Sequence, residues 1–497
     1  MRIGLVSFQD GIAAHGLRRL SSLLKFKGFQ TDTYFYNPSG DQSMFRSFFE
    51  PLINRKFSDK QRELNPRFLQ LLAQHDVVGV SGTTDSAFEI KQAIRAIKQI
   101  NPDCLVVWGG VHARIFPEDA VKHADAVCTG EGEKAFVELL SKLSTGVPYT
   151  NTNSFWFKVG QQVVKNDQTP LLTNDELTAM PFPDYGFDLW YVTDSQMTRM
   201  GRDIYITANG SSYLTLWSLG CPFRCSYCSN DAFLKSDLQN GVVRYPSPNH
   251  IISELQHVLE THDYVSHIVF DDDSFLLVKR PDIERFAELY KKTIGLPFWV
   301  TGYHPLTIDK EKTEILIDAG MRKVRMGIQS GSTKLLSFYN RKYSRETALK
   351  QGAYLASLYP RIAPPFYDVI IDNPIETEAD IIDTIRFFYD LARPFFVYLY
   401  SLRVIPGTKL AQYAADNPQL AFQYIGDSYL FFRDRRSAFM ILLLVIWKPP
   451  LPVFNLLLWL SKYRFFCNPA QFIVRIIFFL KKITAVRLKC DIVYVTC

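Results

Sequence analysis

The side chains best suited to chemistry lie in one short run, Ser218-Leu-Gly-Cys221-Pro-Phe-Arg-Cys225-Ser-Tyr227-Cys228. Three thiolates on one loop can each take one iron of a cubane 4Fe–4S cluster. The fourth iron is then left without a protein ligand, open to a chelating small molecule. A structural zinc centre is the bland alternative. It needs four ligands, and the nearest further Cys or His is His250. The other cysteines, at 104, 128, 467, 490 and 497, are scattered. Eight cysteines in 497 residues, used this way, point to metal ligation in a reducing compartment rather than a disulfide framework.

Such a loop needs a rigid frame, and the flanking sequence alternates strand and helix signals. Strands are expected at 213–218, leading into the cysteines, and at 267–270, 298–301, 324–328, 367–371 and 396–402. Helical periodicity at 250–260, 283–293 and 376–391 lies between them. Six βα units predict a partial TIM-type barrel over 205–415, working at the C-terminal ends of its strands. A second alternating stretch covers 1–145, with strands near 3–8, 77–81, 105–108 and 126–128 and helices at 17–26 and 88–100. It predicts a Rossmann-like open parallel sheet, whose ligand lies beyond the strand ends. Those ends carry Ser81-Gly-Thr83, Gly109-Gly110 and Gly130-Glu131. Residues 146–204 read as a linker with a small hairpin near 154–164 and a stiff Pro181-Phe-Pro-Asp184.

The cysteine spacing, with an aromatic just before the last Cys, resembles the radical S-adenosylmethionine superfamily. The likeness extends to its cobalamin-binding-domain group, which is class B radical methyltransferase-like. Val107-Trp-Gly109-Gly110-Val-His112, Pro117-Glu118 and the run 125–133 ending Gly130-Glu131-Gly132-Glu133 resemble that group's cobalamin domain. Phe270-Asp-Asp272-Asp273-Ser-Phe275 resembles the end of the second barrel strand, and Met326-Gly-Ile-Gln329-Ser330-Gly-Ser332 the fourth. Asp372-Asn373-Pro-Ile375-Glu376-Thr377 stands where Gly-Leu-Pro-Gly-Glu-Thr is usual, and Pro406-Gly407-Thr408 fits the sixth. The resemblance covers about residues 1–415.

It implies three cofactors: a 4Fe–4S cluster on Cys221, Cys225 and Cys228, S-adenosylmethionine, and cobalamin. Those cysteines are the implied catalytic and metal-binding residues. Tyr227 would sit beside the cluster and the adenine. Asp272 and Asp273 would accept an ammonium; their other reading is a solvated loop. Gln329 and Ser330 would meet the ribose and the methionine carboxylate, or simply end a strand. Thr377 reads equally as a helix cap. Ser81, Thr83, Gly109, Gly110, Gly130 and Glu131 would let backbone approach a flat corrin. The conventional Asp-x-His-x-x-Gly motif is absent: Asp10 and His15-Gly16 are misspaced, and His112 reads as a loop hydrogen-bonder. Cobalamin with no His on cobalt is therefore expected.

The implied reaction is one-electron cleavage of S-adenosylmethionine, hydrogen abstraction by the 5′-deoxyadenosyl radical, and methyl transfer from methylcobalamin to an unactivated carbon. A cobalamin-assisted radical cyclase, oxygenating or rearranging enzyme is the alternative. A tRNA methylthiotransferase should carry a second cysteine trio near the N-terminus, where only Cys104 and Cys128 lie. An iron–sulfur sensor or scaffold is the non-enzyme reading.

The formal net charge is +6, yet residues 437–490 alone hold eight Lys or Arg and no acid, which leaves 6 − 8 = −2 for the rest. No nucleic-acid surface is indicated. The expected partners are a small-molecule substrate, apolar or lipid-like, and an electron donor such as flavodoxin or ferredoxin. The 416–497 region is expected to be helical, with apolar stretches at 438–447, 451–460 and 472–480, each short for a bilayer span. Interfacial helices on an anionic membrane and core helices capping the barrel are the competing readings, with a true span a third. The N-terminus lacks signal-peptide features, so the expected location is cytoplasmic, with peripheral contact at the inner membrane face through 437–490.

Overall fold

The structure, a computed structural model, describes residues 1–9, 11–37, 64–425 and 435–467. Asp10, Cys490, Cys497 and the apolar stretch 472–480 lie outside the described residues.

The protein is α/β, with a Rossmann-like N-terminal sheet, a partial barrel and a helical C-terminal region. The first sheet runs β1 (Arg2–Ser7), β2 (Gln30–Tyr36), β3 (Val77–Ser81), β4 (Leu105–Gly109), β5 (Ala126–Cys128), β6 (Phe155–Val159), β7 (Gln162–Lys165), β8 (Trp190–Val192) and β9 (Met197–Arg199). Their order across the sheet is β7-β6-β5-β4-β3-β1-β2-β8-β9. The first five strands and β8 are parallel. β1 is a continuous apolar run because helices cover both faces of such a sheet.

Segment 146–204 is built into this sheet rather than strung between domains. Its expected hairpin, β6–β7, pairs antiparallel with β5, and β8–β9 extends the other edge beyond β2. The Pro181–Asp184 stretch is pinned by Arg18. That fully buried guanidinium donates to the carbonyls of Ile12 and Asp184 and lies 4.2 Å over Phe35 and 3.9 Å over Tyr185. The Asp184 carboxylate takes hydrogen bonds from Ser21 and pairs with Lys25 at 2.8 Å.

The second sheet has six parallel strands in sequence order: β10 (Ser212–Thr215), β11 (His267–Phe270), β12 (Phe298–Tyr303), β13 (Met321–Gln329), β14 (Phe366–Ile371) and β15 (Phe396–Ser401). Among the described residues β15 does not pair with β10, so the barrel is partial. On β13 alternate residues serve two surfaces. Val324, Met326 and Ile328 are buried in the core, while Lys323, Arg325, Gly327 and Gln329 share the opposite face. After β15, helix Arg435–Ile446 packs against helix Glu378–Asp390 and β15. Helix Leu451–Leu460 folds back on the outside. Among the described residues no helix is long and apolar enough to cross a membrane.

Candidate active site at the barrel strand ends

The cysteine loop leaves β10 under tight control. Gly220 has φ 97°, and a Cβ there would run into the Val242 carbonyl, so only glycine fits. Leu219 and Arg244 exchange backbone hydrogen bonds at 2.8 and 2.9 Å, and the Cys221 amide donates to Asn240. Further along, the Ser226 amide and hydroxyl donate to the carbonyls of Tyr339 and Phe338. Cys228 then opens helix Ser229–Ser236.

All three thiols are free; Cys221 and Cys225 are buried and Cys228 half-buried. Burial pushes the Cys221 thiol up and that of Cys228 up to about 12. Ligation must therefore displace protons, as thiolate ligands generally require. Among the described residues no three His, Cys, Asp or Glu converge as a single metal ion requires. Three desolvated thiols on one rigid loop suit the three protein-held irons of a cubane.

Several neighbours were not legible as site residues. Arg341, buried beyond β13, donates from Nη1 to Cys225 Sγ at 3.6 Å and from Nη2 to the Gly327 carbonyl. His304, just past β12, stacks on Phe223 of the cysteine loop at 3.9 Å, and burial together with Arg341 pushes its pKa down to about 2. A lone Arg and a lone His carry no spacing signal.

The expected ligands separate in the structure. Tyr227 meets Tyr339 edge-on at 5.4 Å beside the thiols. Asp272 does not form a solvated loop: its carboxylate accepts from the amides of Trp217 and Ser218 and from the Ser218 hydroxyl. Burial nevertheless pushes its pKa up to about 7, against those donors. Asp272 therefore anchors the start of the cysteine loop. Asp273 is left on the open side, held by Asn230 at 3.0 Å. Gln329 ends β13 at φ 69°, and Asp372 follows β14 at φ 61°; non-glycine residues held in this region mark constrained sites. The Ser330 hydroxyl is taken by Thr384 and by the Ser332 amide. Thr377 is a helix cap, in a capping box with Asp380. Asn373 donates to the Tyr339 hydroxyl.

In the N-terminal domain, Ser81, Thr83, Gly109, Gly110, Gly130 and Glu131 lie at or just beyond the C-terminal ends of neighbouring strands β3, β4 and β5. Gly110 has φ 84°, and a side chain there would strike the Ser81 hydroxyl and Gly82. Gly130 is covered by Ser154 and Gln168, and the Thr83 hydroxyl donates to Asp85. Glu131 turns away from an open face: Arg244 grips it through two bonds, at 2.8 and 3.2 Å. Burial works to raise the Glu131 pKa, and the Arg244 pair outweighs it and lowers it. Arg114 reaches across the same boundary, donating to Asn240 Oδ1 at 3.1 Å and lying 4.3 Å over Phe233. Both arginine contacts end on residues that also bond the cysteine loop, Arg244 to Leu219 and Asn240 to Cys221. His112 is occupied, with Nε2 on Asp119 and Nδ1 on Thr84. His15 opens the first helix with Nε2 buried and without a hydrogen-bond partner.

Two family models match along the chain, the B12 binding domain over residues 52–140 and the radical SAM superfamily over 216–388. The chain carries a B12-binding domain and a radical SAM domain. Radical SAM enzymes of this kind use a 4Fe–4S cluster, S-adenosylmethionine and cobalamin, and the thiol loop and strand-end loops fit those groups. An uncharacterised methyltransferase of Pyrococcus horikoshii is 28% identical over 355 residues, covering 69% of this chain and 70% of the relative. The anaerobic magnesium-protoporphyrin IX monomethyl ester cyclase of Rubrivivax gelatinosus is 24% identical over 64% of this chain, which spans only 54% of that protein. Among solved structures, the radical S-adenosylmethionine methyltransferase TsrM of Kitasatospora setae matches with TM-score 0.62 at 17% identity, over 84% of this chain and 76% of that one. The cobalamin-dependent S-adenosylmethionine radical enzyme OxsB matches at 0.61 with 14% identity, over 88% and 65%. These likenesses to solved structures show the fold.

Proposed function

We propose that this enzyme adds a methyl group to an unactivated carbon of an apolar, lipid-like substrate. When bound, the cluster, S-adenosylmethionine and cobalamin supply one-electron bond cleavage, a hydrogen-abstracting radical and a transferable methyl group. The chain's own residues supply placement and dryness. Cys221, Cys225 and Cys228 hold the cluster, and Arg341 donates a hydrogen bond to the Cys225 sulfur. Tyr227 and the Phe223–His304 stack wall the loop from water. Gln329 and Asp273 would meet the polar ends of S-adenosylmethionine. The observation that carries the reading is the double arginine contact, Arg244 to Glu131 and Arg114 to Asn240, which ties the B12-side loops to the loop bearing Cys221. Two cofactors held by mutually braced loops suit a reaction in which one generates a substrate radical and the other completes it. An acidic flavodoxin or ferredoxin would provide the electron.

The lumen beneath the site is polar at mid-depth: Arg325 pairs with Asp368 at 2.8 Å and donates to the Tyr400 hydroxyl. The lipid-like character of the substrate thus rests on the apolar tail, with a polar end directed to this network. The likeness to the Rubrivivax cyclase favours a second reading, radical ring closure without methyl transfer. Anaerobic incubation of the reconstituted protein with methyl-labelled S-adenosylmethionine and cell lipid extract separates the two. One labelled methyl group in the product supports the first reading; an altered product with none supports the second.

A further inference from the structure

The two tail helices share a composition and meet opposite fates. Helix Arg435–Ile446 buries Ala438, Phe439, Met440, Ile441, Leu442 and Leu444 against the barrel. Helix Leu451–Leu460 buries only Phe454 and Leu458. It is nonetheless held firmly. Phe454 stacks on Tyr389 at 4.1 Å, the Tyr389 hydroxyl donates to the Pro449 carbonyl, and Arg436 donates to Ser461 at 2.8 Å and pairs with Glu378. What this braced element turns outward is apolar and aromatic: Trp447, Leu451, Leu456, Trp459, Tyr463 and Phe465 are 46, 56, 55, 52, 53 and 90% exposed. Lys448 and Arg464 are exposed in the same stretch, Lys462 pairs with Glu378 at 3.4 Å, and residues 435–467 contain no Asp or Glu.

We propose that this face docks the enzyme on an anionic lipid bilayer. Scattered exposed apolar residues are ordinary, but a run of large ones on one rigid element marks an interaction surface. Trp and Tyr with Lys and Arg, and no acid, is the composition of a headgroup interface, where rings sit partly wet and cations meet anionic lipid. A ten-residue helix is too short to span, so the element lies in the surface. The acid-free stretch selects an anionic partner. Apolar insertion and charge together are the two signals that reversible anchoring takes. The surface stands apart from the cysteine loop and is independent of whether a methyl group is transferred.

Flotation of full-length protein with vesicles tests this. One set is pure phosphatidylcholine and the other contains about one-third phosphatidylglycerol, both at low ionic strength. The two exposed cations Lys448 and Arg464 at an anionic surface should raise binding on the order of thirtyfold over the neutral vesicles. Leu451→Ser, Leu456→Ser and Trp459→Ser together should abolish flotation with both sets, while circular dichroism and the reconstituted cluster spectrum stay unchanged. Lys448→Glu with Arg464→Glu should cut the preference for anionic vesicles roughly tenfold or more and leave the weak neutral binding. The proposal is overturned if the native protein stays unbound at low salt. It is equally overturned if the triple serine variant floats like the native protein, which would place the contact on residues 468–497. Conversion of a dimer to a monomer by that variant, with flotation unchanged, would assign the face to a second copy.

Discussion

The cysteine loop and the B12-side loops show two ways of building a cofactor site. On the barrel side the proposed cluster would be held by side-chain donors, so three cysteines at fixed spacing would specify it, and surrounding hydrogen bonds fix the loop. On the N-terminal side the sheet ends offer mainly shape. Gly110 and Gly130 are needed for packing, and Glu131 is spent on Arg244. Covalent ligation leaves a sharp mark in sequence, whereas a surface that receives a flat ligand leaves a faint one. The boundary between the two is where individual residues matter most, because Arg244 and Arg114 serve both sides at once.

The largest effect is expected on the ligand side. Cys225→Ala should abolish the 4Fe–4S spectrum and the release of 5′-deoxyadenosine, because a site-open cubane needs all three thiolates. A normal cluster spectrum in this variant would remove the contrast between the two sites. At the boundary, Arg244→Met leaves Glu131 buried without its partner and should cost about 3–5 kcal/mol in urea unfolding. Glu131→Gln combined with Arg244→Met should recover part of that loss; simple additivity would show that the pair does not couple the domains.

Asp272→Asn sharpens the comparison within the barrel. An amide nitrogen would face a backbone donor at Trp217 or Ser218, a loss on the order of 1–3 kcal/mol. The aspartate also carries a pH signature. Its folded pKa of about 7 lies above the ordinary carboxylate value, so the folded state binds the extra proton. Stability from this group therefore falls as pH rises from about 4 to about 7 and is level above that. Unfolding free energies from urea titrations at about pH 5.5 and about pH 7.5 should differ by on the order of 1–2 kcal/mol more in the native protein than in Asp272→Asn. Equal pH slopes would mean that the carboxylate is not desolvated.

The smallest effect is expected from histidine on the B12 side. His112 is occupied by Asp119 and Thr84, so His112→Ala should leave the paramagnetic resonance spectrum of bound Co(II) cobalamin unchanged. Nitrogen superhyperfine splitting lost on substitution of His112 or His15 would contradict cobalt without a histidine.

Much of this was legible in the chain. All six barrel strands fall where alternating apolar runs place them, and the Thr377 cap follows from local chemistry alone. What escaped depends on distant neighbours. Asp272 and Asp273 are adjacent and identical in type, yet one is walled in by Trp217 and Ser218 and the other faces the thiols' side. Arg341, His304 and Arg114 are single residues whose meaning comes only from what the fold brings against them. The segment 146–204 has linker composition, but its short strands found open sheet edges. The two apolar tail helices look alike in sequence, and only the barrel's outer face decides that one is covered and the other exposed.

The central claim is that cluster and cobalamin form one working unit braced by Glu131–Arg244 and Arg114–Asn240. The most direct measurement is the electron spin relaxation of Co(II) cobalamin in the full-length holoenzyme, with the cluster reduced and then oxidised. Cobalt relaxation should be faster when the cluster is reduced, and that enhancement should be lost in Cys225→Ala. Identical cobalt relaxation in both cluster states, with both cofactors present, would contradict it.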